Sequence, residues 1–371
     1  MRKNPDNLVI GIDMTGGHRV VSYFSEGMKN PESVSLKNRE NRYLIPKDKY
    51  NLGNLIGLAK RTSGKDQVKG VVFVVDSPDE DTLTGLKKEM EKLSYTKDDL
   101  RVVGKGESFA CYVFGQDESL RKNDVVMFEL TQETFRFYRM KTGRGRPPYM
   151  ITVEEEDLSA LLDTGMLDDG RNHEYCDTVF SEIIEKKMGS SLVSSIYLVG
   201  SGFNEKWYSK SLNLLCQKRR VFLGQNLLSL GACHSFQNGG KMSDYIMICE
   251  GRTINAISVV ARHKGRNIQV PLSEAGVRWY EARAEIEGIL DTPDFLEFVL
   301  SFPIQGRGSH LSVSLEGFPA RPHKTTRIAI CTEYRNSREF SITIKDKGFG
   351  ELFKSSGMVV KKNVNADEYT D

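Results

Sequence analysis

The stretch Leu8-Val-Ile-Gly-Ile-Asp-Met-Thr-Gly-Gly17 constrains this chain more than any other: an apolar run stops at an aspartate, and two glycines follow at a hairpin turn. A strand, an acid and a glycine turn in that order can aim backbone N–H groups at a phosphate. His18-Arg-Val-Val-Ser-Tyr-Phe24 alternates as the returning arm of such a hairpin should. Taken alone, this is a first strand with a Gly-Gly turn. Three later stretches fit the same scheme in the same order.

Val71-Val-Phe-Val-Val75 is a β-branched run of the kind buried on both faces, and it stops at Asp76-Ser-Pro78. Leu83, Leu86, Met90 and Leu93 then recur at helical spacing. After Arg101-Val-Val103, the segment Gly106-Glu-Ser-Phe-Ala-Cys-Tyr-Val-Phe-Gly115 reads as a helix packed through small and aromatic residues. Asp124–Leu130 and Thr134–Tyr138 repeat the strand-turn-strand layout of residues 8–24, so the chain reads as two related halves. Glu154–Asp157 is an acidic run expected at the start of a solvated helix. The apolar stripe Val179, Phe180, Ile183, Ile184, Met188 delivers the chain to Ser195-Ile-Tyr-Leu-Val199, which ends in Gly200-Ser-Gly-Phe203 before a helix over Trp207–Gln217. A strand that opens through a glycine turn into a helix is a common ligand-approach geometry.

Composition limits the function classes. The 371 residues are 39% hydrophobic and 27% charged, enough to bury cores in two or three domains. Fifty-two basic against 50 acidic residues, a formal charge of +2, argue against a nucleic-acid binder or a membrane-surface protein. No segment approaches the ~20 apolar residues of a membrane helix, and the first apolar run is too short for a signal-peptide core. The six cysteines, Cys111, Cys176, Cys216, Cys233, Cys249 and Cys331, contain no C-x-x-C pair and read as reduced thiols of a cytoplasmic protein.

Together the four stretches resemble the nucleotide-binding domain of the actin-like ATPase superfamily, most of all its seventy-kilodalton heat-shock chaperone branch. Gly11-Ile-Asp13 resembles the first phosphate loop, and the likeness implies that Asp13 organises a magnesium ion through water, with Thr15, Gly16 and Gly17 at the phosphates. Glu107-Ser-Phe-Ala-Cys-Tyr-Val-Phe-Gly115 resembles the connecting motif, with Glu107 in the metal and water shell. Phe128-Glu-Leu-Thr131 takes the place of the second phosphate loop, with Thr134 at the nucleotide. Leu198-Val-Gly-Ser-Gly-Phe203 resembles the adenosine loop, which implies Gly200, Ser201, Gly202 and Phe203 as nucleotide contacts. Val221–Asn226 and Leu230-Gly-Ala232 resemble the closing strand and helix, with Gly231 at the site.

Two departures bear on function. Thr15 stands where the family has a glycine, displacing the glycines to 16 and 17. In the second loop the family's Asp-x-Gly-Gly-Gly-Thr is replaced by Glu129-Leu-Thr-Gln-Glu-Thr134, which removes the close backbone approach that glycine permits and sets Glu133 near the terminal phosphates.

After the glycine linker at 239–240 the pattern changes to short alternating strands, with Leu311, Val313, Leu315 and Phe340, Ile342, Ile344 on apolar faces, a helix near Ala275–Glu287 and a frayed polar tail from Lys361. The expectation is an α/β protein. Two ribonuclease H-like lobes of the actin-like ATPase fold, 1–115 and 116–238, precede a C-terminal β-sandwich domain, 239–371, that takes a protein or peptide through exposed turns such as Gly317–Pro322 and Lys347–Gly350. The expected function is chaperone-like, with ATP or ADP and magnesium as candidate cofactors and hydrolysis weakened or lost. The alternative is a slow ATPase using Asp13 and Glu107 with magnesium.

Overall fold

The structure, a computed structural model, describes residues 7–36, 42–189, 191–237, 242–291 and 294–370. The glycine linker at 239–240 lies outside the described residues. The chain divides into two compact units, Met1–Tyr245 and Ile246–Asp371.

In the first unit the chain runs through β1 (Leu8–Asp13), β2 (His18–Ser25), β3 (Glu32–Ser33), β4 (Ile45–Pro46), α1 (Leu52–Ser63), β5 (Val68–Val75), α2 (Glu80–Lys92), β6 (Leu100–Gly104) and α3 (Lys105–Gly115). These strands form a sheet in the order β3-β2-β1-β5-β6. β1 is antiparallel to β2 and parallel to β5, which is parallel to β6. All six β1 residues are buried, as are Val71 to Val75, so both strands lie at the centre of the sheet. α2 turns Leu83, Leu86 and Met90 inward from an Asp79 N-cap, while Leu93 falls one residue beyond the helix and is 37% exposed.

The second half continues with β7 (Asp124–Leu130), β8 (Phe135–Thr142), β9 (Tyr149–Asp157), α4 (His173–Met188), β10 (Val193–Val199), α5 (Ser209–Leu215), β11 (Arg220–Gly224) and α6 (Leu227–Gln237). Its sheet order includes β11-β10-β7-β8-β9. A central strand again has antiparallel neighbours on one side, β8 then β9, and parallel neighbours on the other, β10 then β11. The two sheets therefore share one strand plan, with β7 corresponding to β1. Phe128, Phe135, Phe180, Phe203 and Trp207 fill the core under the second sheet, their rings 5.2 to 6.3 Å apart along the chain of contacts.

β12 (Tyr245–Ile248) spans the division between the units. The second unit is built of β13 (Ala256–His263), β14 (Arg266–Ser273), β15 (Arg283–Ile289), β16 (Phe295–Phe302), β17 (Arg307–Ser314), β18 (Arg327–Tyr334), β19 (Glu339–Gly348) and β20 (Val359–Asn365). They make two four-stranded antiparallel sheets, β14-β13-β16-β17 and β15-β18-β19-β20. Leu311, Val313 and Leu315 are buried, as are Phe340, Ile342 and Ile344, which matches the alternation in the sequence.

Four local expectations are corrected. Glu154–Asp157 ends strand β9: Glu154 and Glu155 bond Lys141 (2.6 Å) and Arg136 (2.5 Å) on β8, and Glu156 bonds Lys187, so the acidic run is held by cross-strand cations. Residues 275–282 form turns that lead into β15, with no helix. The tail from Lys361 belongs to β20 and a 3-10 turn that buries Ala366. The helix expected over Trp207–Gln217 is the shorter α5, because Trp207 and Tyr208 are drawn into the aromatic core instead.

Candidate functional site

β1 ends on a carboxylate, Asp13, and the corresponding strand β7 carries Glu129 one residue before its end. Both line one cleft with Thr15, Gly16, Gly17 and His18 after β1, Thr131, Gln132 and Glu133 after β7, and Gly200 and Ser201 after β10. The carboxyl ends of parallel strands open here, which is where α/β sheets take ligands. The cleft encloses about 150 Å³, below the roughly 300–1,000 Å³ usual for small-molecule sites.

The first loop is closed on itself. The Thr15 amide and hydroxyl both donate to Asp13 Oδ1, at 2.9 and 2.6 Å. Arg19, 7% exposed, donates to the carbonyls of Met14, Gly16 and His18, which clamps the turn from behind. Burial pushes the Asp13 carboxyl up to about 6 against the opposing pull of the Thr15 bonds, and Glu129 adds to the rise.

The second loop is closed as well. Thr131 Oγ1 accepts the amides of Glu133 (3.2 Å) and Thr134 (3.0 Å), and the Thr131 amide donates to the Thr134 carbonyl at 2.9 Å. The amides that a glycine loop would offer to a phosphate are satisfied inside the turn. Glu133 is exposed at the cleft and keeps a negative side chain there.

Sequence reasoning missed Lys105. Its side chain, 4% exposed, donates to Glu129 Oε2 at 2.9 Å and pairs with Asp76 Oδ1 at 2.8 Å. The Tyr138 hydroxyl adds bonds to Glu129 (3.3 Å) and Glu155 (3.1 Å). Burial pulls the Lys105 ammonium down, but Glu129 and Asp76 outweigh it and hold it above its ordinary value. A lysine opening a helix sits against the helix dipole, and that misplacement was the one signal available.

Of the other expected site residues, Gly200 reaches the cleft and Glu107, Gly202, Phe203, Thr134 and Gly231 are not among its lining residues. Glu107 is 1% exposed inside α3 and is not among the cleft-lining residues. Gly200 lines the cleft with φ +101°, and a Cβ there would collide with the Leu130 carbonyl oxygen. Gly202 packs against the Leu130 side chain, Phe203 sits 1% exposed in the aromatic core, and Thr134 bonds within its own turn. Gly231 faces Ser108 of α3. Among the described residues no group of three or more His, Cys, Asp or Glu side chains is placed to hold a metal ion. For a directly bound magnesium ion, which demands a near-octahedral shell of oxygens at about 2.1 Å, the donors do not fit: Asp13 Oδ1 accepts from Thr15, Glu129 Oε2 accepts from Lys105 and Tyr138, and Glu107, buried in α3, does not line the cleft.

Residues 49–250 match the family described as "Family of unknown function (DUF5716) C-terminal", and residues 252–366 match "Domain of unknown function (DUF8552)". No curated protein matches the chain. Solved structures similar to it include a ROK hexokinase from Thermus thermophilus (12% identity, 63% of this chain and 99% of that one, TM-score 0.40). The activator of the 2-hydroxyisocaproyl-CoA dehydratase from Clostridium difficile with bound ADPNP is similar at 10% identity, over 64% of this chain and 96% of that one, TM-score 0.37. The ethanolamine utilization protein EutJ from Carboxydothermus hydrogenoformans is similar at 14% identity, over 62% and 91%, TM-score 0.38. No helix among the described residues is long and apolar enough to cross a membrane.

Proposed function

The chain belongs to the family of unknown function DUF5716, and we propose that it is a chaperone-like protein of the actin-like ATPase fold whose cleft binds a nucleotide through its adenosine end and no longer hydrolyses it. The shared strand plan of the two sheets, with Asp13 and Glu129 near the ends of corresponding strands at one cleft, supports the fold reading. In this reading the lobes are 1–115 and 116–238, and 239–371 is a β-sandwich that takes a protein or peptide. Each of its sheets carries strands with one apolar and one polar face, as a sandwich layer does. Among the described residues no disulfide joins the cysteines, which is in keeping with a reducing cytoplasm.

The observation that carries the loss of hydrolysis is the Thr131 turn. Catalysis of phosphoryl transfer rests on preorganised donors and a cation at the phosphates, and here the turn amides are spent on Thr131 and the magnesium donor set does not fit. What remains open at the cleft is the Gly200-Ser201 side with Gln225 and Leu228.

Calorimetric titration with ATP, ADP and adenosine, with and without magnesium, tests the reading. ATP and ADP are expected to bind within about tenfold of each other, or ~1.4 kcal/mol, with no magnesium dependence and no turnover. A wild-type ATPase rate above background that Asp13→Ala removes would overturn it and establish the slow ATPase.

A further inference from the structure

The Lys105 side chain pairs with a carboxylate from each half of the first unit, Asp76 and Glu129. Lys105 opens α3 directly after β6. Asp76 follows the last residue of β5 in the first sheet, and Glu129 is the penultimate residue of β7 in the second. Lys105 and Glu129 are each 4% exposed, whereas Asp76 is 58% exposed, so the pair is buried on the side of the second sheet and wet on the side of the first. A buried carboxylate needs a counterion as well as hydrogen bonds, since isolated charge in a low-dielectric setting is costly. Glu129 has both, from Lys105 and from Tyr138. Asp13, which lines the cleft with Glu129, is affected by both Glu129 and Lys105, and Arg19 acts on Asp13 and Asp76 from the first sheet.

We infer that Lys105 is the resident cation of this cleft: its ammonium, covalently part of the chain, neutralises Glu129 and Asp76 and bolts β5 of the first sheet to β7 of the second, in place of a diffusible divalent ion. A cation of this kind is always present, so the spacing of the two sheets at the cleft is set without metal. The inference stands whether or not a nucleotide binds, because it concerns only how the chain neutralises its own carboxylates.

Thermal unfolding of the full chain at fixed ionic strength, with and without 10 mM (on the order of a saturating dose) magnesium or manganese chloride, is the test. The wild type is expected to show the same Tm within about 1 °C in either salt. Lys105→Met keeps the stem and removes the charge, which leaves the buried Glu129 without its counterion. It is expected to melt several degrees lower and to regain part of that loss with either divalent ion, whereas Lys105→Arg needs neither. Wild-type stabilisation by divalent ions, or a Lys105→Met variant that melts like the wild type, overturns the inference. Should Lys105→Met not fold in any salt, Lys105→Met with Glu129→Gln decides: recovery of a cooperative melt by the double variant supports a charge pair at this place, and failure to recover overturns it.

Discussion

Gly231 of α6 lies so close to Ser108 of α3 that a Cβ on it would stand 2.6 Å from Ser108 Oγ and nearer still to its carbonyl oxygen. The Ser108 hydroxyl in turn donates to the Leu228 carbonyl at 2.5 Å, so the two helices touch backbone to backbone. Gly231→Ala is expected to destabilise the first unit by about 2 kcal/mol or more, the scale of an overpacked core, and to do so equally with and without nucleotide. Chemical denaturation followed by circular dichroism checks this. A nucleotide-dependent effect would instead return Gly231 to the binding site.

Asp13 gives a pH signature. Its folded-state carboxyl, pushed up to about 6 by burial, binds its proton more tightly than the unfolded chain's ordinary 3.8. Stability from this group is therefore complete below about pH 4 and is lost as pH rises through 6. Asp13→Asn keeps the acceptor for Thr15 and removes the charge. It is expected to be more stable than wild type at pH 7 to 8, by at most about 3 kcal/mol, and equal to it near pH 3.5. Denaturation midpoints across that range decide the matter, and a constant difference at all pH values would contradict it.

The ion pair of the second unit titrates the other way. Asp346, with a fully buried side chain, accepts both guanidinium nitrogens of Arg321, at 2.9 and 2.8 Å, together with the amides of Gly348 and Ser356. Burial alone would raise it, but Arg321 and Ser356 hold it well below the ordinary carboxylate range. Its contribution is present above about pH 4 and is lost on further acidification. Arg321→Met should cost about 3–5 kcal/mol at neutral pH, the usual result of orphaning a buried charge. The chain's two tryptophans fall one in each unit, Trp207 and Trp279. In a Trp207→Phe background, Trp279 fluorescence reports the second unit alone, and an unchanged midpoint there would refute the prediction.

Much of this architecture is legible in local pattern. The buried run Val71–Val75, the stripe Leu83, Leu86, Met90 and the alternation around Leu311 and Phe340 all carry their burial in their spacing. The cleft was legible through Asp13, Gly16, Gly17, Gly200 and Ser201, because strand ends followed by glycine turns announce themselves. Gly202 and Gly231 do not line the cleft and instead meet the close approach of Leu130 and Ser108, a packing constraint that only the fold reveals. Lys105 was illegible because its partner Glu129 is 24 residues away and the chain around it looks like an ordinary helix start. The acidic run at Glu154 was misread because its compensating cations sit on the neighbouring strand and on α4.

The Thr131 turn can be opened by design. Thr131→Gly removes the oxygen that accepts the Glu133 and Thr134 amides. It is expected to cost about 1 kcal/mol of stability and to raise affinity for inorganic phosphate at least severalfold, more so with Glu133→Gly. Phosphate titration by calorimetry measures it. Unchanged phosphate affinity in both variants would show that the amides point away from the cleft.

That same hydroxyl behaves as a tethered competitor. A phosphate from solution must displace an oxygen carried on the very loop it would occupy, and a well-oriented group within the chain acts at an effective concentration that no solute reaches.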